Sequence, residues 1–219
     1  MSENVRGQGA LTEEYEKAVA FAAGVHRSQV RKGTNVPYLS HLLSVSALVL
    51  EDDGTETEAI AALLHDALED GPVGIRQDLE RLFSTEVLSI VEHCTDDEPE
   101  GGEKRAWTLR KEEYVAGLST AGPSAVKVTV ADKLHNLRST LDDLWDDDNP
   151  SWPTSNACAH QNLWYYATVV AKAAAVIPLS RSVRALDRTL DAVCARLGMD
   201  RPAPSDVAPR CGQCASVAP

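Results

Sequence analysis

The chain has 219 residues, a formal net charge of −12 and a sequence pI of about 4.9, with 43% hydrophobic and 25% charged residues. This suits one globular domain with tails, large enough to bury a core without staples. The acidic balance argues against nucleic acid and against an anionic membrane surface, since both call for a basic footprint. No apolar run is long enough to cross a bilayer, and Met1–Ala10 lacks a signal-peptide pattern. A cytoplasmic chain with neither nucleic-acid nor membrane partner, a monomer or homodimer, is therefore expected.

Helical patterns recur throughout. Residues 1–10 read as an N-terminal tail. Thr12 is placed to cap a helix to about His26, with Glu13 and Glu14 in its first turn and Ala18, Phe21, Ala22 and Val25 at helical spacing. A Gly-, Asn- and Pro-containing loop, Arg31–Pro37, precedes a helix capped by Ser40 and running to about Leu50. Thr55 and Glu58 form a capping box for a third helix, which carries Ala59, Ala62, Leu63 and Ala67 and stops at Gly71-Pro72. Shorter helices follow at about Ile75–Phe83 and Thr85–Cys94. Acidic connections, Asp96–Glu103 and Asp142–Pro153, flank helices at about Lys104–Leu118 and Ser124–Leu144. The last helices cover about Asn156–Ile177 and Ser180–Leu197. No strand or repeat is evident, so the fold class is all-α, a bundle of about eight to ten helices over residues 11–198. The Pro- and Ala-rich stretch 199–219 is expected to be a disordered tail.

The chemistry concentrates in Leu63-Leu64-His65-Asp66-Ala67-Leu68-Glu69-Asp70. Residues four apart share a helix face, which stacks His65 over Glu69 and Asp66 over Asp70. Carboxylates crowding a helix C-terminus repel one another and the macrodipole, and a bound cation relieves both. The plainer reading is a solvated helix end. Two further segments bear on the choice. Pro37-Tyr38-Leu39-Ser40-His41 puts a histidine at a helix start, and the apolar run from Val126 meets a lone aspartate, Asp132, with Asn136 one turn beyond. An aspartate on an apolar helix face is rarely buried unless paired or metal-bound. Two histidines and two aspartates suit an ion with open water positions better than a closed zinc site.

The order His41, His65-Asp66, Asp132 resembles the HD superfamily of phosphohydrolases. Arg31-Lys32-Gly33, Pro37-Tyr38-x-x-His41, His65-Asp66-x-x-Glu69-Asp70 and Ala131-Asp132-Lys133-Leu134-His135-Asn136-Leu137-Arg138 resemble the hydrolase domain of RelA/SpoT proteins, and the chain is similar to small alarmone hydrolases over about residues 12–195. The resemblance implies an HD-domain bundle with His41, His65, Asp66 and Asp132 as ligands of one divalent ion, Mn²⁺ above others. It implies catalytic Glu69 and Asp70 and substrate contacts from Arg31, Lys32, Asn136 and Tyr165. The implied reaction removes pyrophosphate from the 3′ position of a guanosine 3′,5′-bis(diphosphate)-type alarmone, a small nucleotide. Thr129 departs from the pattern, standing where many relatives carry a lysine, as does Gly71-Pro72-Val73-Gly74. A phosphatase releasing one phosphate from a nucleotide or NADPH, and a silent nucleotide-binding regulator, stand as alternatives.

Other residues have plainer readings. His135 receives no role from the motif, and His26, His93 and His160 read as structural or exposed. Lys104, Arg105, Arg110 and Lys111 are placed to reach a substrate phosphate across the pocket mouth, but the plainer reading is a solvated basic face balanced by Glu112 and Glu113. Cys94, Cys158 and Cys194 read as buried helix thiols. Cys211 and Cys214 form a C-x-x-C with no second ligand pair nearby in sequence, so incidental thiols in a tail are expected.

Overall fold

The computed structural model describes residues 10–96, 105–146 and 157–210. Among them are ten helices: α1 (Glu13–Val25), α2 (Leu39–Glu51), α3 (Glu56–Leu64), α4 (Ala67–Asp70), α5 (Ile75–Leu82), α6 (Thr85–Cys94), α7 (Trp107–Gly117), α8 (Gly122–Trp145), α9 (Ala159–Val176) and α10 (Arg181–Leu197). No strand occurs among the described residues beyond one isolated bridge between Val30 and Pro37, so the expected all-α class holds. Local chemistry sets many of the starts. Thr12 Oγ1 accepts from Glu14 N, the Thr55–Glu58 capping box forms, and Ser84 and Ser180 cap α6 and α10. Each satisfies N–H groups that the first turn leaves without helical partners.

Two expectations need correction. Ser40 does not cap α2, because the turn begins earlier: Pro37 O accepts from Ser40 N and Tyr38 O from His41 N, so Tyr38 holds the N-cap position. The helix expected to run unbroken from Thr55 to Gly71 is interrupted after Leu64. Asp66 sits at φ −96°, ψ 1°, in the sparsely populated bridge region, before the chain turns again as α4. That break turns His65 and Asp66 toward the same neighbours.

Helix α8 organises the interior. Its Ala125, Val128 and Ala131 join an apolar cluster built from α1 to α6. Val126, Val130, Leu134 and Leu137, at helical spacing, join a second cluster with α7, α9 and α10. The helix packs against α2, α3, α6, α9 and α10. A residue on α8 between these faces, such as Asp132, is buried by the crossing of helices on both sides.

The described part of the expected tail, residues 199–210, has no helix but lies against α9. Residues 1–9 and 211–219 lie outside the described residues, as do most of the two acidic connections, Lys104 and the C-x-x-C.

Candidate metal centre

Helix α2 contributes His41, the α3–α4 junction His65 and Asp66, and α8 Asp132. Ligand atoms of His41, His65 and Asp132 all lie within 4.8 Å of one another. His41 Nε2 is 3.2 Å from Asp132 Oδ1 and 3.7 Å from Asp66 Oδ2. His65 Nε2 is 3.0 Å from Asp66 Oδ2 and 3.7 Å from Asp132 Oδ1. Both Nε2 atoms are buried, and neither has a hydrogen-bond partner. Buried polar atoms are normally bonded. Two imidazole nitrogens that meet two carboxylates without bonding them fit donors arranged around a shared cation. The cluster is a divalent-metal site.

The opposite ring nitrogens set the presentation. His65 Nδ1 lies 2.8 Å from Ala62 O, and a carbonyl only accepts, so Nδ1 carries the hydrogen. His41 Nδ1 lies 2.8 Å from His135 Nδ1. When His41 offers its Nε2 lone pair, its Nδ1–H donates and His135 accepts. Burial, then His41 and Arg31, push His135 down to about 4, so it is neutral at pH 7 and able to accept.

The remaining shifts report how charge is balanced. Burial lowers His41, and Asp132 opposes it without prevailing. At His65 burial also disfavours the cation, but Asp66 and Asp132 outweigh it and raise the pKa. Burial by itself would raise Asp66 and Asp132. His65 holds Asp66 down, while Lys133 and the two histidines hold down Asp132. Tyr38 Oη donates to Asp66 Oδ2 at 2.5 Å, and burial together with Asp66 raises its pKa far above the usual phenol value.

The expected substrate and catalytic residues divide into groups. The Val30–Pro37 turn aims Arg31 Nη2 at Asn136 Oδ1 (2.9 Å), and Asn136 Nδ2 donates to Asp132 Oδ1 (2.5 Å). Arg31 and Lys32 line a cleft of about 330 Å³ with Ser40 and His135. Glu69 and Asp70 diverge: Glu69 Oε1 accepts from Asp96 N (3.1 Å), and Asp70 Oδ2 accepts from Gln29 Nε2 (2.8 Å). Tyr165 is buried with no hydrogen-bond partner for its hydroxyl. Lys111 and Lys133 lie 4.9 and 5.8 Å from its ring centroid.

Arg110 and Lys111 do not form a solvated face. Arg110 is buried and Lys111 partly buried on Asp96, Arg110 Nη1 at 2.5 Å from Oδ1 and Lys111 on Oδ2, because α7 turns them inward while Arg105 pairs with Glu113 at the surface. Sequence reasoning also missed Tyr38, His135, Gln29 and Lys133, whose Nζ lies 2.5 Å from Asp132 Oδ2. His135 and Lys133 carried a signal in their closeness in sequence to Asp132, and Tyr38 in its place in Pro37-Tyr38-x-x-His41.

Residues 18–169 match the HD domain family. The chain belongs to the HD domain family. This HD protein is 34% identical over 137 residues to the guanosine-3′,5′-bis(diphosphate) 3′-pyrophosphohydrolase MESH1 of Mus musculus, covering 59% of the chain and 71% of that protein. It is 33% identical over 128 residues to the Drosophila melanogaster protein of the same name, covering 57% and 68%. A solved structure of a metazoan ortholog of SpoT, described as hydrolysing ppGpp, superposes with a TM-score of 0.66 at 27% identity, covering 87% of this chain and 99% of that one.

Proposed function

We propose that this HD domain is a metal-dependent hydrolase that removes pyrophosphate from the 3′ position of guanosine 3′,5′-bis(diphosphate)-type nucleotides. The observation that carries the reading is the pair of buried, unbonded Nε2 atoms of His41 and His65 converging with Asp66 and Asp132. The similarity to relatives named for that reaction supports the substrate.

A divalent ion on His41, His65, Asp66 and Asp132 supplies a Lewis acid and a water of lowered pKa, and the imidazole–carboxylate donor set suits Mn²⁺. The chain's own groups do the rest. His65 through Ala62 O, and His41 through His135, keep their Nε2 lone pairs inward. Glu69 and Asp70, one turn beyond His65-Asp66, divide between the water that attacks the phosphorus bearing the 3′ oxygen and the waters around it, and a carboxylate of the pair takes up the proton of the attacking water. The bond to the 3′ oxygen breaks, leaving a guanosine 5′-di- or triphosphate and pyrophosphate. Arg31, Asn136 and Lys32 hold the nucleotide at the cleft, and Tyr165 offers its hydroxyl from the inner wall. In a chain of net charge −12, Lys133, beside Asp132, concentrates positive charge where phosphoryl oxygens gain negative charge. The reading carries with it a cytoplasmic compartment.

One observation favours the second reading, a phosphatase releasing a single phosphate. Thr129, at the position where the resemblance leads one to expect a lysine, is buried, with its hydroxyl 2.9 Å from Tyr114 Oη, so it brings no charge to a second phosphate. The test is a Mn²⁺-supplemented panel of guanosine 3′,5′-bis(diphosphate), NADPH and nucleoside monophosphates, with products separated by chromatography. Pyrophosphate from the first substrate, lost in Asp66→Ala, is the expected result. Orthophosphate from the others with the first untouched selects the phosphatase. Binding without any product selects the regulator.

A further inference from the structure

His26 closes α1 as its C-cap residue and is buried, 3% exposed. Its Nε2 has no hydrogen-bond partner among the described residues. Buried polar atoms are normally bonded, and an unmet one carries a desolvation cost. A ring kept there despite that cost is kept for its other nitrogen. His26 Nδ1 lies 2.6 Å from Gln29 Oε1, and Gln29 Nε2 lies 2.8 Å from Asp70 Oδ2.

The direction of this chain of bonds follows from its far end. A carboxylate only accepts, so Gln29 turns its amide nitrogen to Asp70. Its amide oxygen then faces His26 and also only accepts, so Nδ1 carries a hydrogen and donates it. A flipped amide would set oxygen against the Asp70 carboxylate and nitrogen against the Nδ1–H. The backbone is held as well. Gln29 N donates to His26 O, and Tyr38 N donates to Gln29 O beside the Val30–Pro37 bridge. The Tyr38 ring lies 5.3 Å from that of His26, while its hydroxyl goes to Asp66. Gln29 is thus anchored in the turn before α2, and its side chain crosses to α4.

Asp70 is exposed at the last position of α4. An exposed carboxylate without a hold samples several rotamers, and ordering it at each turnover costs entropy. With Oδ2 taken by Gln29, Oδ1 is the oxygen left for a water. On the hydrolase reading above, we propose that Gln29 and His26 are positioning residues: Gln29 holds the Asp70 carboxylate toward the reacting waters, and His26 locks the Gln29 amide so that it donates to Asp70. Neither side chain bonds a metal ligand, so their loss should spare the metal.

Steady-state kinetics with Mn²⁺ and guanosine 3′,5′-bis(diphosphate) provide the test. Gln29→Met, similar in shape and without the amide, is expected to lower kcat by about 10–100-fold, with KM and calorimetric Mn²⁺ affinity unchanged. Added to Asp70→Ala it is expected to cost nothing further, because it acts through that carboxylate. His26→Leu is expected to match Gln29→Met. His26→Asn, whose amide nitrogen can still donate to Gln29 Oε1, is expected to recover most of the loss. The His26 tautomer gives a readout free of turnover. At about pH 8, long-range proton–nitrogen spectra should place the hydrogen on Nδ1 in the wild-type chain and lose that preference in Gln29→Met. A wild-type chain that releases no pyrophosphate overturns the hydrolase reading. A wild-type chain that releases it, while Gln29→Met equals it in kcat, loses Mn²⁺ as well or slows Asp70→Ala further, overturns the positioning role alone. So does a His26 hydrogen on Nε2 in the wild-type chain, or equal rates for His26→Leu and His26→Asn.

Discussion

Two buried charge clusters meet along α8 and differ in how they are satisfied. In the one formed by His41, His65, Asp66 and Asp132, two imidazole nitrogens are buried without hydrogen bonds. In the other, Asp96 takes Arg110 on one oxygen and Lys111 on the other, and its backbone N–H bonds Glu69. Lys133 lies between them, paired with Asp132 and within 5.8 Å of the Tyr165 ring centroid that Lys111 also approaches. The first cluster is incomplete without a cation, whereas the second carries its own counterions. Damage to the first should therefore cost chemistry, and damage to the second should cost stability.

The largest effect is expected at the first cluster. His65→Ala should lower steady-state kcat/KM by at least about 10³-fold, roughly 4 kcal/mol of transition-state stabilisation. The same variant should lose the metal stabilisation expected of the wild-type chain in thermal unfolding with Mn²⁺, about 2.7 kcal/mol at a hundredfold excess over Kd. Wild-type metal stabilisation in this variant would erase the contrast between the clusters.

Asp96→Ala comes next, at about 3–5 kcal/mol in urea unfolding, because it leaves the buried Arg110 and partly buried Lys111 without their carboxylate. Burial resists ionisation of Asp96, but Lys111 outweighs it and the carboxyl is held below its ordinary value. The sign follows from that depression. The contribution is fully present above the unfolded value of about 3.9 and is lost as pH falls through the lower folded value. The gap between wild type and variant should stay level from about pH 7 to 5 and close only in stronger acid. A gap that narrows near neutrality would point to another group.

A smaller effect sharpens the account of the first cluster. His135→Ala should weaken Mn²⁺ binding by about 10–100-fold in calorimetry. His135→Gln, whose amide oxygen can accept from His41 Nδ1–H, should recover part of that loss. Equal affinities for the two variants would show that acceptance at this position is unimportant. Smallest is Thr55→Ala, which removes the α3 capping box at a cost of about 1 kcal/mol and should leave Mn²⁺ affinity unchanged.

Legibility followed the range of the interaction. The caps at Thr12 and Thr55 and the all-α class could be read directly, since they depend on neighbours two to four residues apart. The break at His65-Asp66 could not, because an apolar helical pattern continues through it. Arg110 and Lys111 were misread because a basic cluster looks the same in sequence whether its helix faces water or Asp96.

The sequence by itself carried the resemblance that points to the HD family, and with it the expectation that His41, His65, Asp66 and Asp132 belong to one site. Only the tertiary structure decided what meets them from other elements: Tyr38 on Asp66, His135 on His41, Arg31 on Asn136, and residues 205–209 laid along α9. Most of these partners come from different elements, and how helices cross is set by the packing of two apolar clusters on either side of α8. A one-dimensional pattern reports which face of a helix is buried, but not which side chain of another element that face will meet.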